Sequence, residues 1–229
     1  MEKFRPLKGL SRPDPQGFFL PMRARRIAVI DYGTGNLKSV VKAFEYLGAN
    51  VSLTRKPEDI REIDAIVFPG QGSYDQCMNC LMQSGLDHLV KKWIQQDRPF
   101  FGICLGLQVL FESSEEGKLP GLGLFQGHVR RFVLQPDLKI PHMGWNDVSW
   151  NLPEDHWICK NLDEPSQFYF VHSYKVITKD PRLTKFDTSY GETFTSGISY
   201  SNCLATQFHP EKSQSKGIQL YRNFLENIG

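Results

Sequence analysis

The sequence predicts an α/β protein: a mostly parallel central sheet flanked by helices, with a smaller antiparallel β extension. Two observations carry this. Through the first hundred residues, short apolar runs alternate with stretches of helical spacing, and each run is too apolar for a half-exposed sheet. After Gly117 the character changes, with Gly121, Gly123 and Gly127 breaking the chain before a series of short β-rich runs.

The first strand is Arg26-Ile27-Ala28-Val29-Ile30-Asp31, and Tyr32-Gly33-Thr34-Gly35-Asn36 turns it into a helix. Leu37, Val40, Val41, Phe44 and Leu47 then fall on one helical face, and Gly48 stops the helix. Val51-Ser52-Leu53 is a second strand, and Pro57 opens a short helix at the first-turn position that suits it. Ala65-Ile66-Val67-Phe68 is a third strand, ending in Pro69-Gly70-Gln71-Gly72. One helix is expected through Leu81, Leu86, Leu89, Val90, Trp93 and Ile94. Pro99 to Ile103 is a fourth buried strand, followed by helical apolar spacing from Leu105 to Phe111. The later β runs are 127–133, 147–150, 167–177 and 193–200, then a strand over 204–208. Ser213 or Ser215 caps a last helix whose apolar positions are Ile218, Tyr221, Leu225 and Ile228.

A chain of 229 residues, 40% hydrophobic, is large enough for one substantial core. A net charge of +2 gives no global signal for nucleic acid, and no apolar run reaches the length of a membrane span. Five cysteines, an odd number, with no signal peptide point to reduced thiols and a cytoplasmic enzyme. Cys77 and Cys80 form a C-x-x-C, but no second ligand pair at zinc spacing accompanies them, so no metal is expected. His142 and His172 also lack metal-spaced partners and read as structural, and no cofactor is implied. Residues 1–22, with Pro6, Pro13, Pro15 and Pro21, form an irregular extension, and 23–229 form the folded domain. Either that segment is a surface extension, or Met22 is the true start.

Chemistry concentrates at Gly102-Ile103-Cys104-Leu105-Gly106, where strand becomes helix. This is a thiol form of the nucleophile elbow, in which glycines permit a sharp turn that exposes the nucleophile. A helix start beyond the sulfur favours thiolate over thiol. A lone cysteine is more often a core residue, so a base is needed to complete the case. Phe208-His209-Pro210-Glu211 supplies one: residues two apart in extended chain share a side, which places Glu211 beside His209 as its orienting carboxylate. Oxyanion donors are available from the Leu105 N–H and from the Gly70-Gln71-Gly72 loop, although that loop also reads as an ordinary turn. Gly33-x-Gly35 lacks the third glycine of a dinucleotide site.

The elbow and the His-Pro-Glu step together resemble the class I, triad-type glutamine amidotransferases. Four further stretches are similar to the glutaminase subunits of imidazole glycerol phosphate synthases, from histidine biosynthesis. They are Asp31 to Asn36, Pro141-His142-Met143-Gly144-Trp145-Asn146, Tyr169-Phe170-Val171-His172-Ser173-Tyr174 and His209-Pro210-Glu211-Lys212-Ser213. The resemblance spans about Arg26 to Ile228 and implies a flavodoxin-like class I amidotransferase fold. It assigns Cys104 as nucleophile, His209 as base and Glu211 as its orienter. It assigns glutamine contacts to Gly70, Gly72, Leu105, Gln108, Glu116, Ser173 and Tyr174. It assigns contacts with a separate (β/α)8 cyclase subunit, in a heterodimer, to Asn36, Met143, Trp145, Tyr169 and Lys212; the neighbouring Pro141 and Gly144 put Met143 and Trp145 on a loop. The family usually has an apolar residue where this chain has Gln71, which bears on how firmly the oxyanion loop is held and on the rate without a partner. Another amidotransferase of the class, a γ-glutamyl hydrolase, and an inert partner module are the competing readings.

Overall fold

A computed structural model describes residues 24–33, 37–133, 138–150, 152–153 and 155–228. It also gives the backbone of two short paired strands, β1 (Arg12–Pro13) and β2 (Phe19–Leu20). Asn36, Thr34 and Gly35 lie outside the described residues.

The parallel half of the main sheet consists of β3 (Arg26–Ile30), β4 (Asn50–Thr54), β5 (Ala65–Gly70), β6 (Phe100–Cys104) and β14 (Cys203–Thr206). Their order is β4-β3-β5-β6-β14, all parallel. This is the expected doubly wound arrangement, which leaves a crevice beyond the carboxyl ends of the strands. The same sheet continues antiparallel through β13 (Thr193–Tyr200), β11 (Tyr174–Ile177) and β8 (His128–Arg131). The two-residue β7 (Ser113–Ser114) ends it, and β12 (Thr184–Ser189) pairs with β13 off the main path. A separate antiparallel pair joins β9 (His142–Val148) to β10 (Ser166–His172).

Strand alternation builds two cores, one on each face. Ala28, Ile30, Ile66, Phe68 and Phe100 pack against α2 (Tyr74–Ser84) and α3 (Leu86–Gln95). Ile27, Val29, Val67, Phe101 and Ile103 face α1 (Leu37–Tyr46) and α5 (Gln214–Asn227). Because both faces are covered, the central strands carry no polar stripe, and that is why they read as unbroken apolar runs.

Several local expectations are corrected. The helix expected through Leu81 and Ile94 is two helices, broken at Gly85, whose φ of +75° ends α2 in a left-handed turn. The helix after Cys104 is one turn, α4 (Leu105–Gln108). Beyond it Val109, Leu110 and Phe111 accept hydrogen bonds from the chain at Leu122 to Phe125. Leu107 to Phe111 are buried throughout, so their apolar run fits more than one backbone path. Met143 and Trp145 lie on β9, not on a loop, and Gly144 with φ +134° bends the strand without ending it. The β run 167–177 divides at Ser173 between β10 and β11. The strand expected over 204–208 ends at Thr206. Ser213 precedes α5, but its hydroxyl donates to the His209 carbonyl instead of capping the helix.

Candidate active site

The elbow is assembled by close backbone packing. Cys104 ends β6 at φ 54° and ψ −103°, a strained backbone that costs about 1–3 kcal/mol and persists only where its surroundings enforce it. The surroundings are glycines. A Cβ on Gly106 would lie 2.0 Å from the Phe68 carbonyl oxygen, and one on Gly102 would lie 2.6 Å from the Gly106 carbonyl oxygen. A Cβ on Gly70, which pairs in register with Cys104, would lie 2.4 Å from the Leu105 Cβ. Three strand and helix ends thus meet at van der Waals contact only because these positions lack side chains. With α4 a single turn, the local amides at the elbow matter more than a long helix dipole.

His209 approaches from the next strand along. It follows β14 and precedes a 3-10 turn over Pro210–Lys212, not an extended segment as the sequence suggested. Pro210 opens that turn, and the turn itself carries Glu211 back to the ring: Nδ1 of His209 lies 2.8 Å from Oε1 of Glu211. The other carboxylate oxygen accepts from the Tyr221 hydroxyl at 3.4 Å. The His209 backbone is tied to β10, its N–H donating to the Tyr169 carbonyl at 2.9 Å. With Nδ1 on the carboxylate, the buried Nε2 is left for other work. Burial opposes charge on this ring, but the Cys104 sulfur and then the Glu211 carboxylate outweigh it, raising His209 to about 10.

Cys104 and His209 border one cleft of about 330 Å³. Gly70, Gly72, Leu105, Gln108, Glu116, Ser173, Tyr174 and Lys212 line the same cleft, so the structure brings all the expected glutamine contacts around the sulfur. Glu211 stands behind His209, away from the cleft. Glu116 is half-buried, and burial, then the nearby Asp75, raises its pKa. Met143 and Trp145 are 60% and 47% exposed on β9, and Trp145 meets Tyr169 edge to face. The Lys212 ammonium lies 5.9 Å from the Tyr169 ring centroid. These four therefore form one surface adjoining the cleft.

The structure adds residues that the sequence did not single out. The Tyr32 hydroxyl contacts the Gln71 peptide, and the Gln207 amide contacts the Cys104 sulfur. His172, read from the sequence as structural, also lines the cleft. Its Nδ1–H donates to the Tyr174 carbonyl at 2.6 Å, so its Nε2 accepts from Nδ1 of His142 at 3.0 Å. His142 in turn accepts from the Asn146 amide at 3.2 Å. Burial lowers His142 to about 4, and burial foremost lowers His172 to about 3, so both rings are neutral. Their structural reading fits this relay. The C-x-x-C lies along α2, where burial pushes the Cys77 thiol well up, and among the described residues no group of side chains forms a metal cluster. Among them, too, no helix is long and apolar enough to cross a membrane.

The parallel sheet, the strained elbow and the paired imidazole and carboxylate define a class of protein: the chain belongs to the glutamine amidotransferase class-I family, whose model matches residues 28–228. Within it, the chain is 47% identical over 202 residues to the imidazole glycerol phosphate synthase subunit HisH of Acinetobacter baylyi, covering 88% of this chain and 98% of that protein. The same subunit of Thermosynechococcus vestitus is 47% identical over 205 residues, with 89% and 98% covered. A solved glutamine amidotransferase shares the fold at a TM-score of 0.66 and 20% identity, covering 89% of this chain and 98% of that one.

Proposed function

We propose that this chain is the glutaminase subunit of an imidazole glycerol phosphate synthase, releasing ammonia from glutamine for a separate cyclase subunit. The observation that carries the reading is the His209–Glu211 pair at 2.8 Å, set beside a cleft lined by the Cys104 elbow. In the proposed reaction the Cys104 thiolate attacks the side-chain carbonyl carbon of glutamine. The Leu105 N–H and an amide of the Gly70–Gly72 loop receive the oxyanion. His209 passes a proton to the leaving nitrogen, the C–N bond breaks, and ammonia departs. Water, giving its proton to His209, then opens the γ-glutamyl thioester, and glutamate leaves with the thiol restored. Glu211 keeps the imidazole in one orientation and stabilises its charged form.

Glu116 suits the substrate ammonium, and the backbone at Ser173 and Tyr174 offers polar groups to its head. Free ammonia would be protonated in water, so delivery within a complex follows. The surface of Met143, Trp145, Tyr169 and Lys212 suits that docking, with the (β/α)8 cyclase as partner in a heterodimer. The resemblance assigns Asn36, which lies outside the described residues, to the partner interface as well. The cyclase would use the ammonia to make imidazole glycerol phosphate and an aminoimidazole carboxamide ribotide, in the cytoplasm.

The test is Cys104→Ala assayed with the cyclase. Glutamine-dependent synthesis should vanish while synthesis from added ammonium salt continues. Wild-type glutamine hydrolysis by the variant would rule the thiol out as nucleophile.

A further inference from the structure

An interior glutamine touches the nucleophile. Thr206, the last residue of β14, pairs with Ile103 of β6, so the residues that follow them, Gln207 just past β14 and Cys104 at the end of β6, are neighbours. Gln207 is fully buried, and its Nε2 donates to the Cys104 Sγ at 3.4 Å. The direction of this amide is set by a backbone carbonyl two steps away. The Tyr174 carbonyl can only accept, so Gln108 turns Nε2 toward it, at 3.5 Å. The same Nε2 donates to Oε1 of Gln207 at 3.0 Å. With its oxygen held by Gln108, Gln207 has only its NH2 group to present to the sulfur.

We infer that Gln207 is a positioning residue for the nucleophile, its side-chain N–H holding the sulfur in place and favouring thiolate over thiol. A thiolate accepts a hydrogen bond more strongly than a thiol does, so a fixed donor shifts the balance toward the anion. The other groups around the sulfur are His209, just before the 3-10 turn, with Glu211 behind it, His172 from β10, Glu116 from the loop after β7, and Lys212 from that turn. Each of these titrates or carries charge. Gln207 does neither, so it supports the anion without competing with His209 for the proton. The inference rests on Cys104 being the nucleophile proposed above.

The test is the pH dependence of Cys104 alkylation by iodoacetamide in the full chain, read on the Cys104 peptide by mass spectrometry. Gln207→Leu removes the donor at similar volume. Gln207→Met is a second variant without the donor at similar volume, which covers the case in which the leucine variant does not fold. The pH of half-maximal alkylation should rise by about one unit for both variants. At pH 7 alkylation should slow by about tenfold or more. A folded variant whose profile superimposes on the wild type overturns the inference. Failure of the parent reading is separately visible, because Cys104→Ala would then leave glutamine hydrolysis intact.

Discussion

The Tyr32 hydroxyl grips the peptide of Gln71 on both sides, accepting from its N–H at 2.8 Å and donating to its C=O at 2.9 Å. Tyr32 also meets Phe68 edge to face, with ring centroids 5.8 Å apart. The loop is therefore pinned through its backbone, whatever side chain stands at 71. Tyr32→Phe keeps the ring contact and frees one backbone donor beside the proposed oxyanion site. Glutamine hydrolysis without any partner should rise several-fold, at a stability cost of about 1–2 kcal/mol. Glutamate release and urea denaturation check both parts. An unchanged rate would show that the grip does not restrain the resting enzyme.

Glu211→Gln removes the charge that helps hold His209 protonated and oriented. The kcat should fall by about 10²- to 10⁴-fold with little change in KM. The raised pKa of His209 should drop toward its ordinary value, which a histidine NMR titration would follow.

The neutral pair His142 and His172 makes stability depend on pH. Both are lowered in the folded state, to about 4 and about 3, whereas the unfolded chain takes up these protons near pH 6.5. Below pH 6.5 the unfolded state binds more protons, so stability falls as pH falls, by at most roughly 1.4 kcal/mol per pH unit for each ring. His209 acts oppositely: raised to about 10, it contributes stability that is complete below pH 6.5 and is lost as pH rises through 10. Urea midpoints measured from pH 5 to pH 8 should rise across the acid side, and His172→Gln should flatten that limb.

Trp145→Ala removes the largest exposed apolar side chain of the surface formed by Met143, Trp145, Tyr169 and Lys212. Cyclase binding should weaken by about 30-fold or more, since a buried tryptophan anchor commonly contributes over 2 kcal/mol. Calorimetric titration measures it. Basal glutamine hydrolysis should change far less, and an unaltered Kd would move the docking face elsewhere.

The parallel half of the sheet was legible because burial on both faces leaves strands such as Ala65 to Phe68 without polar interruption. Cys104, His209 and Glu211 were legible because the elbow and the short His-Pro-Glu spacing are local features. What stayed hidden depended on contacts between distant segments. Strand β12, Thr184–Ser189, buries only Phe186 and Thr188 deeply and offers no apolar run. Met143 and Trp145 looked like loop residues because Gly144 and an outward apolar face are both unusual in a strand. Gln207 gave no signal, because only the register of β14 against β6 sets it beside the sulfur. The Tyr32 contact likewise spans 39 residues of sequence.

Ser173 is the point at which the chain leaves one sheet for another. On one side, β10 is laddered to β9, which carries Met143 and Trp145. On the other, β11 belongs to the main sheet, and the Tyr174 carbonyl holds both His172 and Gln108. Glutamine bound as proposed would lean on the same ribbon that the proposed docked subunit would press from outside. Whatever preference either visitor has for one pose of that ribbon is returned to the other in equal measure, so a docked subunit that tightens glutamine by some factor must itself be held tighter by glutamine to the same degree.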